Sequence, residues 1–309
     1  MRIRIGFDIS IQCAGPTPLL LALHPHPDED HRLMGTCEIV TDPKLATEVF
    51  LDEFGNRRAR VVARPGVLRL RADCVAQDAG EPDAVVACAD QHAVEDLPLS
   101  TLGFLSSSRY CEVDEMSAKA WELFGHTEPG WARVQAICDF VHHHVTFGYG
   151  YARSTKTASD TLREGRGVCR DFAHLMITLC RAMNFPARYV SGYLGDIGVP
   201  PAGPGDFCAW TEVFLGGRWH TFDARYNIPR IGRIVMVRGR DAADVPMIAA
   251  FGQYSLKAFE VWTDEVPATN RPARIGRPSL ASHNRMPTPL APLLAGEPDV
   301  KTLGSRQSQ

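Results

Sequence analysis

The sequence predicts an α+β protein in which an N-terminal antiparallel β-sandwich precedes a core of helices and strands. Two observations lead to this prediction. In residues 1–98, turn-forming residues recur every ten positions or so, and the segments between them alternate apolar and polar side chains or are rich in β-formers. In residues 99–265, the pattern changes to helical spacing followed by β-rich stretches. We therefore divide the chain near residue 98.

Turn-forming residues divide the N-terminal part into short segments, as expected for a sandwich of short strands. Its turn signals are Gly15-Pro16, Pro25-His26-Pro27, Phe54-Gly55-Asn56, Pro65-Gly66 and Gly80-Glu81-Pro82. Between them, Arg2-Ile3-Arg4-Ile5 and Val67-Leu68-Arg69-Leu70-Arg71 place apolar and polar side chains on opposite faces. Such alternation is typical of half-buried strands.

The remaining chain is predicted to contain the core and a tail. Residues 130–145 have apolar side chains at helical spacing, which predicts an amphipathic helix. Beyond about residue 266 the sequence is rich in proline and has no sustained period. Such a composition buries too little apolar area to offset the entropy of ordering. We expect residues 266–309 to be a disordered tail.

Composition and charge narrow the class of protein. The chain has 309 residues, 45% of them hydrophobic, and a formal charge of −3, so no strong field attracts nucleic acid or an anionic membrane. We expect neither as a partner. The start shows no signal-peptide pattern or membrane span. The nine cysteines have no repeating spacing, which favours free thiols and a cytoplasmic protein.

The strongest chemical signal is a cysteine at a predicted helix start. Gly165-Arg166-Gly167 marks a turn, and after Cys169 the apolar residues follow the spacing of a largely buried helix. A thiol at a helix N-terminus is exposed to the positive end of the helix dipole, and free N–H groups there can receive an oxyanion. Cys169 is therefore a candidate nucleophile.

A second signal is a hairpin that brings Cys208 toward Asp223. Gly216-Gly217 separates two runs of β-branched and aromatic residues. In the register that closes on these glycines, Phe214 faces Trp219. By the same register Cys208 is diagonal to Asp223 on one face.

Taken together, these motifs resemble the bacterial transglutaminase-like superfamily. The segments that carry the resemblance are Gly167-Val168-Cys169-Arg170-Asp171-Phe172-Ala173, Pro186 to Tyr193, Ala209-Trp210-Thr211-Glu212, Trp219 to Asp223 and Gly239 to Val245. The resemblance implies a papain-like core preceded by the β domain of a bacterial subgroup. It also implies acyl transfer from amides without metal or organic cofactor, with Cys169 as nucleophile and Asp223 as the orienting acid.

One position departs from the family pattern. Where the family has His-Ala-Trp, this chain has Cys208-Ala209-Trp210. The departure affects proton transfer, because a general base activates the nucleophile and then protonates the leaving amine. His220 lies an odd number of residues from Asp223 on a strand, so it points to the other face. His174 is roughly 140° around the helix from Cys169, which predicts a surface position or one away from the reacting atoms.

The other histidines predict no metal site. His142-His143-His144 lie about 100° apart on a helix and cannot converge on one ion, and His24, His26 and His31 read as a polar loop after a strand. We expect neither a metal nor a cofactor.

Three functional interpretations remain open. The first is a cysteine enzyme that acts on amide bonds of a peptide or protein, as a peptidase, amidase or acyltransferase, with catalytic residues Cys169, Cys208 and Asp223. The second is a catalytically impaired pseudoenzyme that binds a peptide or a protein partner. The third is a redox pair formed by Cys169 and Cys208. The sequence does not indicate an oligomeric state.

Overall fold

The computed structural model describes residues 1–201, 203 and 205–267. The strands are β1 (Arg2–Cys13), β2 (Thr17–Leu21), β3 (Val40–Asp42), β4 (Thr47–Leu51), β5 (Arg57–Ala63), β6 (Gly66–Gln77), β7 (Thr146–Phe147), β8 (Arg166–Gly167), β9 (Ala187–Tyr193), β10 (Phe207–Leu215), β11 (Arg218–Phe222), β12 (Ile234–Gly239), β13 (Ile248–Ala250) and β14 (Tyr254–Val266). The α-helices are α1 (Leu99–Leu102), α2 (Val113–Phe124), α3 (Trp131–His144), α4 (Ala158–Glu164) and α5 (Cys169–Ala182). Of the predicted tail 266–309, residues 268–309 lie outside the described residues.

Two antiparallel four-stranded sheets form the N-terminal part, as the alternating pattern predicts. Their strand orders are β14-β1-β6-β3 and β13-β2-β5-β4. In β1 every second residue from Ile3 to Cys13 is buried, and in β6 the same holds from Leu68 to Ala76. The sheets contribute these side chains to one apolar core. The period of two thus determines which face of each strand is buried.

The C-terminal strands complete these two sheets. β14 pairs with β1 along its length, from Arg2 opposite Val266 to Cys13 opposite Tyr254, and β13 pairs with β2. Residues 248–266 therefore join the N-terminal strands, although the sequence division at residue 98 groups 99–265 with the core. β14 therefore lies in the same sheet as β1.

The core consists of a four-stranded antiparallel sheet, of order β11-β10-β9-β12, packed against α5. Helices α2, α3 and α4 contact α5 on its remaining sides, and every residue of α5 is buried. Because α5 is enclosed all round, its polar side chains need partners within the protein. Arg181, for example, donates to the carbonyls of Ala187 and Arg240.

No helix among the described residues is long and apolar enough to cross a membrane.

The hairpin register predicted from Gly216-Gly217 is confirmed. Phe214 lies opposite Trp219, and Thr211 lies opposite Phe222 at the last paired position. Both glycines have positive φ, 53° and 83°, which favours glycine and gives the turn a twist that matches the strands. Cys208 and Asp223 are therefore brought to the same end of the hairpin.

The prediction that all nine cysteines are free thiols is wrong for two of them. Cys37 and Cys74 form a disulfide, with a Cα–Cα distance of 5.4 Å. β3 pairs with β6 so that Val40 is opposite Arg71, and the same register places Cys37 opposite Cys74. Spacing along the sequence does not reveal this pair because the strand register creates it. Cytoplasmic localisation stays a prediction, and a disulfide is less common in that compartment.

Candidate active site

Cys169 is the first residue of α5, as the sequence predicts. The turn before it depends on Gly167, since a Cβ there would come within 2.7 Å of the Asp171 Cβ. Asp171 Oδ2 in turn accepts a hydrogen bond from the Val168 N–H at 3.0 Å and so caps the helix start. Gly167 and Asp171 thus fix the backbone on both sides of Cys169.

The structure places the thiols of Cys169 and Cys208 in contact. Cys208 lies on β10 opposite Gly192 of β9, and both thiols are buried and free of disulfides. A hydrogen bond from Cys208 lowers the pKa of Cys169, against the effect of burial, while the same bond raises the pKa of Cys208 well above its ordinary value. Of the two thiols, Cys169 therefore loses its proton first, while Cys208 keeps its proton and stays the hydrogen-bond donor.

Two further groups stabilise a thiolate at Cys169. The Ala209 backbone N–H donates toward the sulfur, and the Arg225 guanidinium supplies positive charge. As the first residue of a helix, Cys169 also has a backbone N–H without an intrahelical acceptor, which can serve an oxyanion. These groups thus supply hydrogen bonds and positive charge to the sulfur, as an imidazolium would, but none of them releases a proton easily.

Arg225 is a site residue that the sequence reasoning missed. Its guanidinium carbon lies 3.7 Å from the ring centre of Phe147 and 4.7 Å from that of Tyr226. Burial lowers its pKa, but the neighbouring Cys169 and Cys208 outweigh that effect and raise it. Arg225 stands two residues after Asp223 in a turn. Only the fold shows that this turn faces the thiols.

Among the described residues, no imidazole donates a hydrogen bond to Asp223. Its Oδ1 accepts from the backbone N–H groups of Arg225 at 3.1 Å and Tyr226 at 3.3 Å. Its Oδ2 accepts from Arg233 Nη2 at 2.9 Å, and Arg233 also donates to Asp83 at 2.8 Å. Asp223 therefore holds the turn that carries Arg225 and forms a buried ion pair with Arg233.

Neither candidate replacement histidine lies at the thiols. The His220 ring packs edge-on against Trp131, with centroids 5.4 Å apart, on the face expected from its odd offset. The expectation of a surface position for His174 is wrong, because it is fully buried, stacked on Tyr110, with Nε2 accepting from the Ala242 N–H at 3.1 Å. The packing of four elements around α5 explains this burial.

His26 and the run His142-His143-His144 interact with backbone groups. A ring nitrogen of His142, His143 and His144 lies within hydrogen-bond distance of the carbonyl of Ala224, Asp139 and Leu162, respectively. His26 Nδ1 accepts from the Asp28 N–H at the start of a 3-10 turn. Among the described residues, no three His, Cys, Asp or Glu side chains are grouped so as to hold a metal ion.

Asp206 is a second residue that the sequence reasoning missed. It directly precedes β10, two residues before Cys208. A hydrogen bond joins it to Tyr149, which lies in a 3-10 turn next to β7. Burial raises the pKa of Asp206 to about 6, although Tyr149, the Phe207 N–H and Arg225 oppose this.

Comparison with known proteins places this geometry in a family. The sequence model of the transglutaminase-like superfamily matches residues 118–224, a range that includes Cys169, Cys208 and Asp223. The crystal structure of a candidate cysteine protease from Cytophaga hutchinsonii has a TM-score of 0.74 and 30% identity to this chain. The match covers 88% of this chain and 93% of that chain.

Two curated relatives match over shorter stretches. An uncharacterized protein of Mycobacterium leprae is 40% identical over 90 residues, which are 28% of this chain and 32% of that protein. Kyphoscoliosis peptidase of Mus musculus is 26% identical over 159 residues, which are 48% of this chain and 24% of the peptidase. The chain thus spans less than half the length of either relative. Its sequence match and its fold together show that the chain belongs to the transglutaminase-like superfamily.

Proposed function

We propose that the protein is a cysteine enzyme that cleaves or transfers amide bonds of a peptide or protein substrate through a thioester on Cys169. The observation that carries this proposal is the environment of Cys169. Its thiol lies at a helix N-terminus and receives hydrogen bonds from Cys208 and the Ala209 N–H, beside the Arg225 guanidinium. The superfamily and the protease name of the Cytophaga hutchinsonii relative support the same activity.

The proposed acylation begins with attack of the Cys169 thiolate on the amide carbonyl carbon. The resulting oxyanion is stabilised by the Cys169 N–H at the start of α5. Cys208 and Arg225 lower the pKa of Cys169 and so favour the thiolate that attacks. Asp223 contributes indirectly, because it orients the turn that carries Arg225. Water or an acceptor amine then releases the acyl group from sulfur.

Turnover of fluorogenic peptide amides and γ-glutamyl amides tests this function. The parent protein should release amine, and Cys169→Ala should abolish the release, whereas Cys13→Ala, which removes a buried thiol from the N-terminal sheet, should not. Supplying a primary amine separates transfer from hydrolysis. Turnover that is equal in the parent and in Cys169→Ala would refute the proposal.

A binding role is the second candidate, and the occupancy of Asp223 favours it. Asp223 Oδ1 accepts from two backbone N–H groups and its Oδ2 accepts from Arg233, so neither oxygen orients an imidazole among the described residues. A pseudoenzyme would bind a peptide or a protein with this cleft and release no product. Peptides that bind to the parent and to Cys169→Ala with equal affinity, without turnover, would favour this role.

A further inference from the structure

The proposed reaction needs a proton donor that the residues discussed so far do not provide. An amide nitrogen is a poor leaving group until it receives a proton. Cys208 has a pKa well above its ordinary value, so it donates a hydrogen bond without easily giving up its proton. Arg225 remains charged. The proton must therefore be carried by another group near the Cys169 sulfur. That group needs a free lone pair to accept the proton before it donates it to the leaving nitrogen.

Asp206 has the required position. It lies two residues before Cys208, and since side chains alternate along an extended chain, both are directed to the same face as the thiols. The position of its hydrogen-bond partner Tyr149 agrees with this. The Gly148 N–H donates to the carbonyl of Gly167 at 3.0 Å, and Gly167 lies two residues before Cys169. Tyr149, which directly follows Gly148, is therefore held close to the start of α5.

Asp206 also has an unused oxygen. Its Oδ1 is enclosed by protein and has no hydrogen-bond partner among the described residues. A buried polar atom without a partner is uncommon and needs an explanation. The other elements packed here present Tyr149, Arg225 and Cys169 as the groups that interact with the carboxyl. Because this oxygen has no other partner, it is free to accept a proton from the Cys169 thiol.

The electrostatic environment suits such a role. Burial raises the pKa of Asp206 to about 6, so both the acid and the carboxylate are populated near neutral pH. Tyr149 keeps its proton, because burial and the charge of Asp206 raise its pKa above its ordinary value. The hydroxyl therefore stays a donor that orients the carboxyl.

We propose that Asp206 is the general acid and base of this active site and replaces the histidine that the family has at position 208. This assignment rests on the proposed function. In acylation, an Asp206 oxygen takes the Cys169 thiol proton, and the thiolate so formed bonds to the carbonyl carbon. When the C–N bond breaks, that proton goes to the leaving nitrogen. In deacylation, the Asp206 carboxylate takes a proton from the attacking water, and the departing Cys169 sulfur recovers it as the C–S bond breaks.

The decisive variant is Asp206→Asn, assayed with an amide and an activated ester of the same acyl group. We expect amide turnover to fall by about 10²–10⁴-fold. Acylation of Cys169 by the ester should fall less, because a phenolate leaves without a proton and only removal of the thiol proton is then affected. Glu115→Gln, which neutralises an exposed carboxylate on α2, is the matched control and should behave as the parent.

The pH dependence separates proton transfer from a structural effect. In the parent, kcat/KM for the amide should rise as pH increases through about 6, because Asp206 must be ionised to accept the thiol proton. Asp206→Asn should lose this rise. Tyr149→Phe removes a hydrogen bond that lowers the Asp206 pKa, so the rise should move to higher pH. Since Tyr149→Phe leaves the carboxyl in place, it tests the assignment even if Asp206→Asn folds poorly.

The failure of this proposal differs from failure of the proposed function. If Asp206→Asn keeps amide turnover within threefold of the parent while Cys169→Ala loses it, Asp206 is not the acid and the enzyme assignment stands. An amide pH profile of Tyr149→Phe that superposes on the parent's would also contradict the role of Asp206. If the parent shows no Cys169-dependent amide turnover, the proposed function fails and this assignment fails with it.

Discussion

Arg233 Nη2 donates a hydrogen bond to Asp223 Oδ2 at 2.9 Å, so the carboxylate at the family's third catalytic position is paired with an arginine. The Arg233 guanidinium also lies 4.8 Å from the ring centre of Trp210. It thereby joins Asp223 to a residue two positions from Cys208. An arginine stays protonated and cannot carry a proton between sulfur and substrate. We therefore assign proton transfer to Asp206, which precedes Cys208 by two residues.

The pair of Arg233 and Asp223 should contribute strongly to stability. Arg233→Met leaves Asp223 without its cation in a buried position, and breaking such a pair costs about 3–5 kcal/mol. Urea unfolding of the variant and the parent measures the difference. Arg4→Met is the control, because the Arg4 side chain is 47% exposed while that of Arg233 is 7% exposed. Loss of the exposed pair should cost at most about 1 kcal/mol, and equal losses would contradict the account.

Cys208→His should raise amide hydrolysis. The imidazole would stand where the family places it, draw the Cys169 thiol toward thiolate and return the proton to the leaving amine. The expected gain is on the order of 10²-fold. Cys169→Ala on the same background should remove the gained activity. If the variant folds normally and shows no additional Cys169-dependent turnover, the cleft has diverged beyond this position; if the parent also shows none, a binding role takes precedence.

Cys169 should be the thiol that stays reactive at the lowest pH. The Cys208 hydrogen bond and Arg225 lower its pKa, so limiting iodoacetamide should label it below the pH at which ordinary thiols react. Mass spectrometry can compare it with Cys88, which is exposed. Cys208→Ala removes the donor, raises the Cys169 pKa and should move labelling to higher pH. Labelling of Cys88 before Cys169 at acidic pH would contradict this environment.

The contact between Cys169 and Cys208 also predicts a response to oxidation. Mild oxidation should link the two thiols, since their sulfurs are within hydrogen-bond distance. Peptide mapping under oxidising and reducing conditions detects the link, and Cys208→Ser is the control in which it cannot form. Absence of a Cys169–Cys208 peptide would eliminate the redox interpretation of this pair.

The parts of the site that follow local rules could be predicted from the sequence. Gly216-Gly217 fixes the hairpin register, and the glycines before Cys169 together with the helical spacing after it fix the start of α5. Two different signals therefore identified the neighbourhood of Cys169 and Cys208.

The parts that were missed depend on tertiary contacts. Asp206, Arg225 and Arg233 are charged residues next to turns or strand ends, where a sequence gives no reason to expect burial. They become site residues because β10, the turn after β11 and the start of α5 meet in space. The Cys37–Cys74 disulfide was missed for the same reason, since the register of β3 on β6 creates it.

The most direct test of the central claim is intact-protein mass spectrometry of a trapped acyl-enzyme. The parent is mixed with a peptide amide substrate, quenched in acid within its turnover time and mapped by proteolysis. We predict an added acyl mass, located on Cys169 as a thioester and absent from Cys169→Ala. Substrate turnover without an adduct at Cys169, or with an adduct on another residue, would contradict the account.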